Sequence, residues 1–261
     1  MPRTKKSPTP FGPYARYYDL LYGGKDYTAE ARFVHSRLAA SGVRRGHLLE
    51  LGCGTGRHAV ALGKLGWKID GYDRSAEMVE RARRQAPRGA SAPSFAVGDM
   101  VGLRTGRLYD AVVSLFHVLG YQTTNRELDG SVRTAAANLR PGGLFMFDFW
   151  FGPAVLTERP SVRVKRVEDS RIAVTRIAEP ALDAVRNVVT VNFDVSVEDK
   201  ATGRVDRIKE SHDVRYFFLP ELEYVLAANG FEVVAHGRWM SCAPLDFESW
   251  YGWLVARRLT A

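Results

Sequence analysis

The chain has 261 residues, 46% of them hydrophobic and 25% charged, with a formal net charge of +8. Those proportions belong to a folded globular protein and exclude a disordered or fibrous one, and no apolar run approaches the roughly 18 to 20 residues of a membrane span. Two cysteines, Cys53 and Cys242, give at most one disulfide and no metal-binding spacing, which fits a reducing compartment.

Residues 1–12 read as a disordered basic tail, MPRTKKSPTPFG, whose charges are followed by no apolar run of the kind a secretory signal needs. A cytoplasmic location is expected. Arg3, Lys5 and Lys6 leave about +5 for the remainder. That suits an anionic small substrate and solubility, whereas a nucleic-acid binder would more often carry a dense basic stripe. No nucleic acid, membrane or metal partner is expected. The protein is expected as a monomer or a homodimer.

In chain order, Tyr14–Tyr22 is crowded with aromatics and Ala29–Ala40 has helical spacing. His47–Cys53 is a short apolar run ending in glycines, the pattern of a buried parallel strand, and Arg57–Leu65 follows as a helix. Trp67–Asp73 reads as a second strand and Ser75–Gln85 as a helix capped by its serine. Strands follow at Phe95–Asp99, Asp110–Phe116 and Leu144–Trp150, with a helix Asn125–Leu139 stopped by Arg140-Pro141-Gly142-Gly143. Alternating strands and helices need crossovers, so this half is predicted to be a doubly wound α/β sheet. From Ser161 to Phe218 the period changes to two, which predicts antiparallel strands. A helix Pro220–Gly230 and strands Phe231–His236 and Tyr251–Arg257 then resume the core. The expected organisation is a core of 13–155 and 219–261 with an antiparallel β cap, 156–218, inserted between them.

The strongest chemical signal is Glu50-Leu51-Gly52-Cys53-Gly54-Thr55-Gly56, where a strand turns into a helix. Glycines at 52, 54 and 56 let the backbone turn tightly and approach a nucleotide-like ligand, although a pyrophosphate loop shares the feature with its third glycine one residue later. Asp73 ends the next strand, where a carboxylate can take ribose hydroxyls. Its competing reading is a helix cap. Asp99 and Met100 end the third strand and offer an amino-group acceptor and a soft apolar wall for an adenine. Cys53 reads as a small core residue without chemistry.

ELGCGTG, GYDRSAEM, GDM, DAVVSLFHVLGY and LRPGGLFMFDFW together resemble the class I S-adenosylmethionine (SAM) dependent methyltransferases in order and spacing. The resemblance implies a Rossmann-like sheet of seven strands, the last antiparallel, with SAM across the strand ends and S-adenosylhomocysteine as product. It implies that Gly52, Gly54 and Gly56 face the methionine part, Asp73 the ribose, Met78, Asp99 and Met100 the adenine, and Leu115 the backbone beside the sulfonium, with Glu50 also among the cofactor-binding residues. Tyr14 and Tyr22 are the aromatics expected to close over the cofactor; core packing is the alternative.

An amine must lose its proton to be methylated, and His117, just beyond the fourth strand, is the candidate base; a packing role competes with this. Asp148, at the end of the fifth strand, is the candidate to orient an amino group. YARYYDLLYGGKDYTAEA, SLFHVLGY and SHDVRYFFLPELEYVLAANGF are similar to enzymes that N-methylate amino groups of nucleotide-linked deoxy sugars, while FDFWFGPAVLTERP and the charged cap depart from them. Trp150, Arg215 and Tyr216 are the expected substrate contacts. Methylation of a sugar, glycan or polyketide hydroxyl, or SAM binding without turnover, are the competing functions. Asp73 is expected to serve the ligand rather than the fold.

Overall fold

The computed structural model describes Tyr17, residues 20–89 and residues 92–260. The tail and Tyr14 lie outside the described residues. By contacts the chain divides into two compact units, Asp26–Arg159 with Arg215–Ala261, and Pro160–Val214 with the chain up to Lys25.

The larger unit begins with α1 (Tyr27–Ala40), whose Asp26 cap accepts the Ala29 N–H at 2.8 Å. It continues through β1 (Gly46–Leu51), α2 (Arg57–Gly63), β2 (Trp67–Asp73), α3 (Ala76–Gln85), β3 (Ser94–Val97), β4 (Tyr109–Ser114), α4 (Asn125–Asn138), β5 (Leu139–Trp150) and α5 (Gly152–Thr157). Local chemistry sets the helix starts. Ser75 Oγ accepts the Met78 N–H at the head of α3, and Thr124 and Glu127 form a reciprocal capping box on α4.

Seven strands form one sheet in the order β10-β11-β5-β4-β1-β2-β3, where β10 (Phe231–Arg238) and β11 (Tyr251–Arg258) follow α6 (Leu219–Ala228). β1 to β5 run parallel to one another, and β11 runs antiparallel to both β5 and β10. Their carboxyl ends therefore lie along one edge. The order reverses between β1 and β4, and ligands of open α/β sheets bind at that switch point. The apolar core lies on both faces of the sheet, with Leu48, Val113, Met146 and Val255 on one and Leu49, Val112, Phe147 and Leu254 on the other.

The largest difference from the expected strand boundaries is at the start of β5. Arg140-Pro141-Gly142-Gly143 does end α4, but β5 already starts at Leu139, opposite Tyr109, before pairing resumes at Ala111 with Leu144. The extra residues bulge from the ladder, with Gly142 at φ +77° making the turn.

The smaller unit holds β6 (Arg163–Glu168), β7 (Ile172–Asp183), β8 (Val188–Asp199) and β9 (Val205–Arg215) as a four-stranded sheet in that order. β6 to β8 pair antiparallel. Val174, Val195 and Val197 pack with Leu21. The last residue of β9 already belongs to the larger unit, and there Phe217 is stitched back to the core: its N–H donates to Trp150 O at 2.9 Å and its O accepts the Gly152 N–H at 2.8 Å.

Candidate active site

The loop after β1 is folded around one carbonyl. The N–H groups of Gly52 and Cys53 both donate to Tyr72 O, at 2.7 and 3.0 Å, which ties the loop to β2. Gly52 has φ +76°, and a Cβ there would stand 2.2 Å from Val118 Cγ1, so the loop after β4 closes tightly on this glycine. Gly54 differs in kind. Its φ is +52° and nothing lies within 4 Å of where a Cβ would be, so its backbone faces open space. Gly56 caps α2 against the ring of Phe95.

Two carboxylates flank the loop. Asp73 Oδ2 accepts the Gly54 N–H at 2.9 Å and Oδ1 the Ser75 N–H at 2.8 Å. Burial raises its carboxyl above the usual range despite these donors. The expectation that Asp73 serves only a ligand is thus corrected: it also pins the glycine loop to the head of α3. Glu50 is 1% exposed, and its Oε2 is buried without a hydrogen-bond partner. Burial first, then the charge of Asp73, pushes the Glu50 carboxyl up to about 8, against the Ala59 N–H, which acts to lower it. Burial also holds the Cys53 thiol well above its ordinary value, so it stays protonated and inert.

Met78 is buried in the first turn of α3. Asp99 is exposed just beyond β3, its Oδ1 accepting the Val101 N–H at 2.8 Å, and Met100 is buried with its sulfur 3.1 Å from Gln122 Nε2. Leu115 is buried immediately after β4.

Beyond Leu115 the backbone enters the left-handed region twice in succession, at Phe116 (φ +68°) and His117 (φ +62°). Such residues cost of order 1–3 kcal/mol each and persist only where the surroundings hold them. Here Asp148, 1% exposed in β5, takes the His117 N–H with both carboxylate oxygens at 3.2 Å. The ring turns the same way: Nδ1 lies 2.7 Å from Asp148 Oδ2, at ion-pair distance but off the line of a hydrogen bond. Tyr251 stacks on the imidazole, centroids 4.6 Å apart and planes 12° apart, and Trp150, its partner in the β5–β11 register, lies 6.1 Å from it. The indole N–H of Trp150 is buried without an acceptor.

A methyltransferase-domain family model matches residues 48–143, the stretch from β1 into β5. A dTDP-3-amino-3,4,6-trideoxy-alpha-D-glucopyranose N,N-dimethyltransferase of Streptomyces venezuelae is 31% identical over 223 residues, 84% of this chain and 90% of that enzyme. The chain belongs to the SAM-dependent methyltransferases. Within them it is similar to the amino-sugar N-methyltransferases. The crystal structure of Streptomyces venezuelae DesVI matches at a TM-score of 0.78 and 27% identity, over 95% of this chain and 99% of that one. SAM-bound CalS10, an amino pentose methyltransferase from Micromonospora echinaspora, matches at 0.73 and 25%, over 97% and 100%.

The residues of this methyltransferase fit its cofactor. Gly54 leaves an open cradle, Asp73 keeps lone pairs free beside it, and the orphaned Glu50 oxygen calls for a donor. Among the described residues no group of three His, Cys, Asp or Glu side chains could hold a metal, and no helix is long and apolar enough to cross a membrane.

Three other expected contacts are engaged within the protein's own packing. Tyr22 belongs to the smaller unit, where Arg176 Nη1 donates to its hydroxyl at 2.9 Å. Arg215 is 7% exposed and spends its Nη2 on Glu221 and on Asn125 Oδ1, clasping the end of β9 to the head of α6. Tyr216 beside it is fully buried. The Glu221 carboxylate offsets the charge of Arg215 there, and Tyr216 has no exposed surface. Sequence reasoning missed Tyr251, whose only signal was its place as the aromatic opening the last strand.

Proposed function

We propose that this methyltransferase acts on the amino group of a nucleotide-linked, and therefore anionic, deoxy sugar, adding one or two methyl groups. The supporting observation is the His117–Asp148 pair at the carboxyl ends of β4 and β5, in a chain aligned over 90% of an amino-sugar N,N-dimethyltransferase.

SAM supplies a methyl group on a sulfonium, transferred by in-line displacement that needs positioning more than covalent help. Glu50 and the Gly52–Gly56 loop would hold its amino-acid end, Asp73 its ribose, Met78, Asp99 and Met100 its adenine, and Leu115 would line the wall beside the reacting centre. His117 and Asp148 serve the acceptor. With Nδ1 turned to the Asp148 carboxylate, the lone pair of Nε2 is left to take the proton that the amine must lose. Tyr251 fixes the ring plane. Trp150 offers its unpaired indole N–H to a sugar oxygen.

Mass spectrometry after incubation with SAM and either a dTDP-amino sugar or its hydroxyl analogue tests the assignment. Methylation of the amine alone is expected. Methylation of the hydroxyl compound alone would transfer the chemistry to oxygen, and bound but intact SAM with both would leave a binding protein.

A further inference from the structure

Behind the glycine loop three ionisable side chains are buried together, and the methyl transfer accounts for only one of them. Glu30 stands in the first turn of α1, His58 in the first turn of α2 and Glu50 near the end of β1, with exposures of 8%, 6% and 1%. His58 Nε2 lies 2.7 Å from Glu30 Oε2, and Nδ1 lies 4.0 Å from Glu50 Oε1. The Tyr27 ring meets the imidazole edge-on at 4.9 Å, with the Arg57 guanidinium over that ring at 5.3 Å. The Asp73 carboxylate acts on Glu50 from β2, and the Ala59 N–H from α2.

The proton count starts from an ionised Glu30, which only accepts, so that Nε2 carries the hydrogen facing it. One further proton is then shared between Nδ1 and Glu50: either Nδ1–H faces an ionised Glu50, or a protonated Glu50 faces the Nδ1 lone pair. In both arrangements the three groups carry a net charge of one negative. A cation arriving at the orphaned Oε2 of Glu50 restores that same charge if the shared proton departs.

We propose that Glu30 and His58 are positioning residues for Glu50, and that this cluster exchanges its shared proton for the ammonium group at the amino-acid end of the cofactor. The proton leaves to the buffer. This rests on the cofactor placement proposed above.

Calorimetric titration of the wild-type protein near neutral pH, in two buffers of different ionisation enthalpy, reads the exchange. S-adenosylhomocysteine should bind with release of most of one proton. Methylthioadenosine, which lacks the amino-acid end, should bind with none. Glu30→Gln should weaken S-adenosylhomocysteine about tenfold, the worth of one hydrogen bond to a charged group, shrink the proton release, and leave methylthioadenosine affinity unchanged. His58→Gln should do the same. A merely structural role would lower both affinities together. Equal proton release with both ligands, or none with S-adenosylhomocysteine, overturns the proposal while leaving the cofactor site intact. Failure of wild-type protein to bind either ligand overturns the cofactor site and this proposal with it. Should neither variant fold, the wild-type comparison of the two ligands still decides.

Discussion

Asp148 holds His117 twice, taking its backbone N–H between both carboxylate oxygens at 3.2 Å and facing its ring Nδ1 at 2.7 Å. The first contact fixes a left-handed backbone, and the second fixes which ring nitrogen is free. An amide at 148 cannot accept from both sites and would favour the wrong tautomer. Asp148→Asn should therefore lower kcat about a hundredfold with SAM affinity little changed. Stopped assays on saturating acceptor check this, and an unchanged kcat would reduce Asp148 to a backbone support.

His117→Ala should likewise lower turnover about a hundredfold, with S-adenosylhomocysteine binding close to wild type. Equal turnover at saturating substrate would leave the imidazole as packing against Tyr251.

The two loop glycines separate folding from binding. Gly52→Ala drives a methyl into Val118 and should lower the thermal midpoint by several degrees, in keeping with an overpacking cost of about 1–3 kcal/mol. Gly54→Ala meets nothing in the protein and costs only its backbone conformation, roughly 1–2 kcal/mol. The methyl it adds lies in the open cradle, so SAM affinity should fall at least about tenfold. Full affinity in the Gly54 variant would move the cofactor off this loop.

Asp73→Ala removes the acceptor of two backbone N–H groups and should cost stability, about 1–3 kcal/mol, as well as SAM affinity. Denaturant titration and calorimetry read the two losses separately. A loss of stability alone would confine Asp73 to the fold.

Much of the fold was legible because its signals are local. Strand–glycine–helix succession, the Ser75 and Thr124 caps and the period-two run after Ser161 each depend on a few neighbouring residues. The glycine loop after β1 was legible for the same reason. What escaped depends on pairings distant in sequence. Arg215 was singled out for its charge at a strand end, whereas its bond to Asn125 spans 90 positions. Asp73 was read for the ligand because its bond to Gly54 spans 19 positions. The Glu30–His58 contact spans 28 and leaves no mark in either segment.

Glu50 gives a pH dependence whose sign is unusual for a carboxyl. Its folded value of about 8 stands above the ordinary 4.5, so between those limits the folded state keeps a proton that the unfolded chain has lost. Stability attributable to Glu50 therefore declines as pH rises from about 4.5 to about 8 and is constant outside that window. At about 1.4 kcal/mol per unit the cost reaches a few kcal/mol. Glu50→Gln should flatten this part of the profile and, above pH 8, be more stable than the wild type. Parallel profiles of the two proteins would show that Glu50 ionises normally.

Transfer of an isotope-labelled methyl group from SAM to a dTDP-amino sugar, followed by NMR of the product, tests the central claim most directly. The label is predicted on the sugar nitrogen in wild-type protein and strongly diminished there in His117→Ala. A label on oxygen, or undiminished N-methylation without His117, would contradict it.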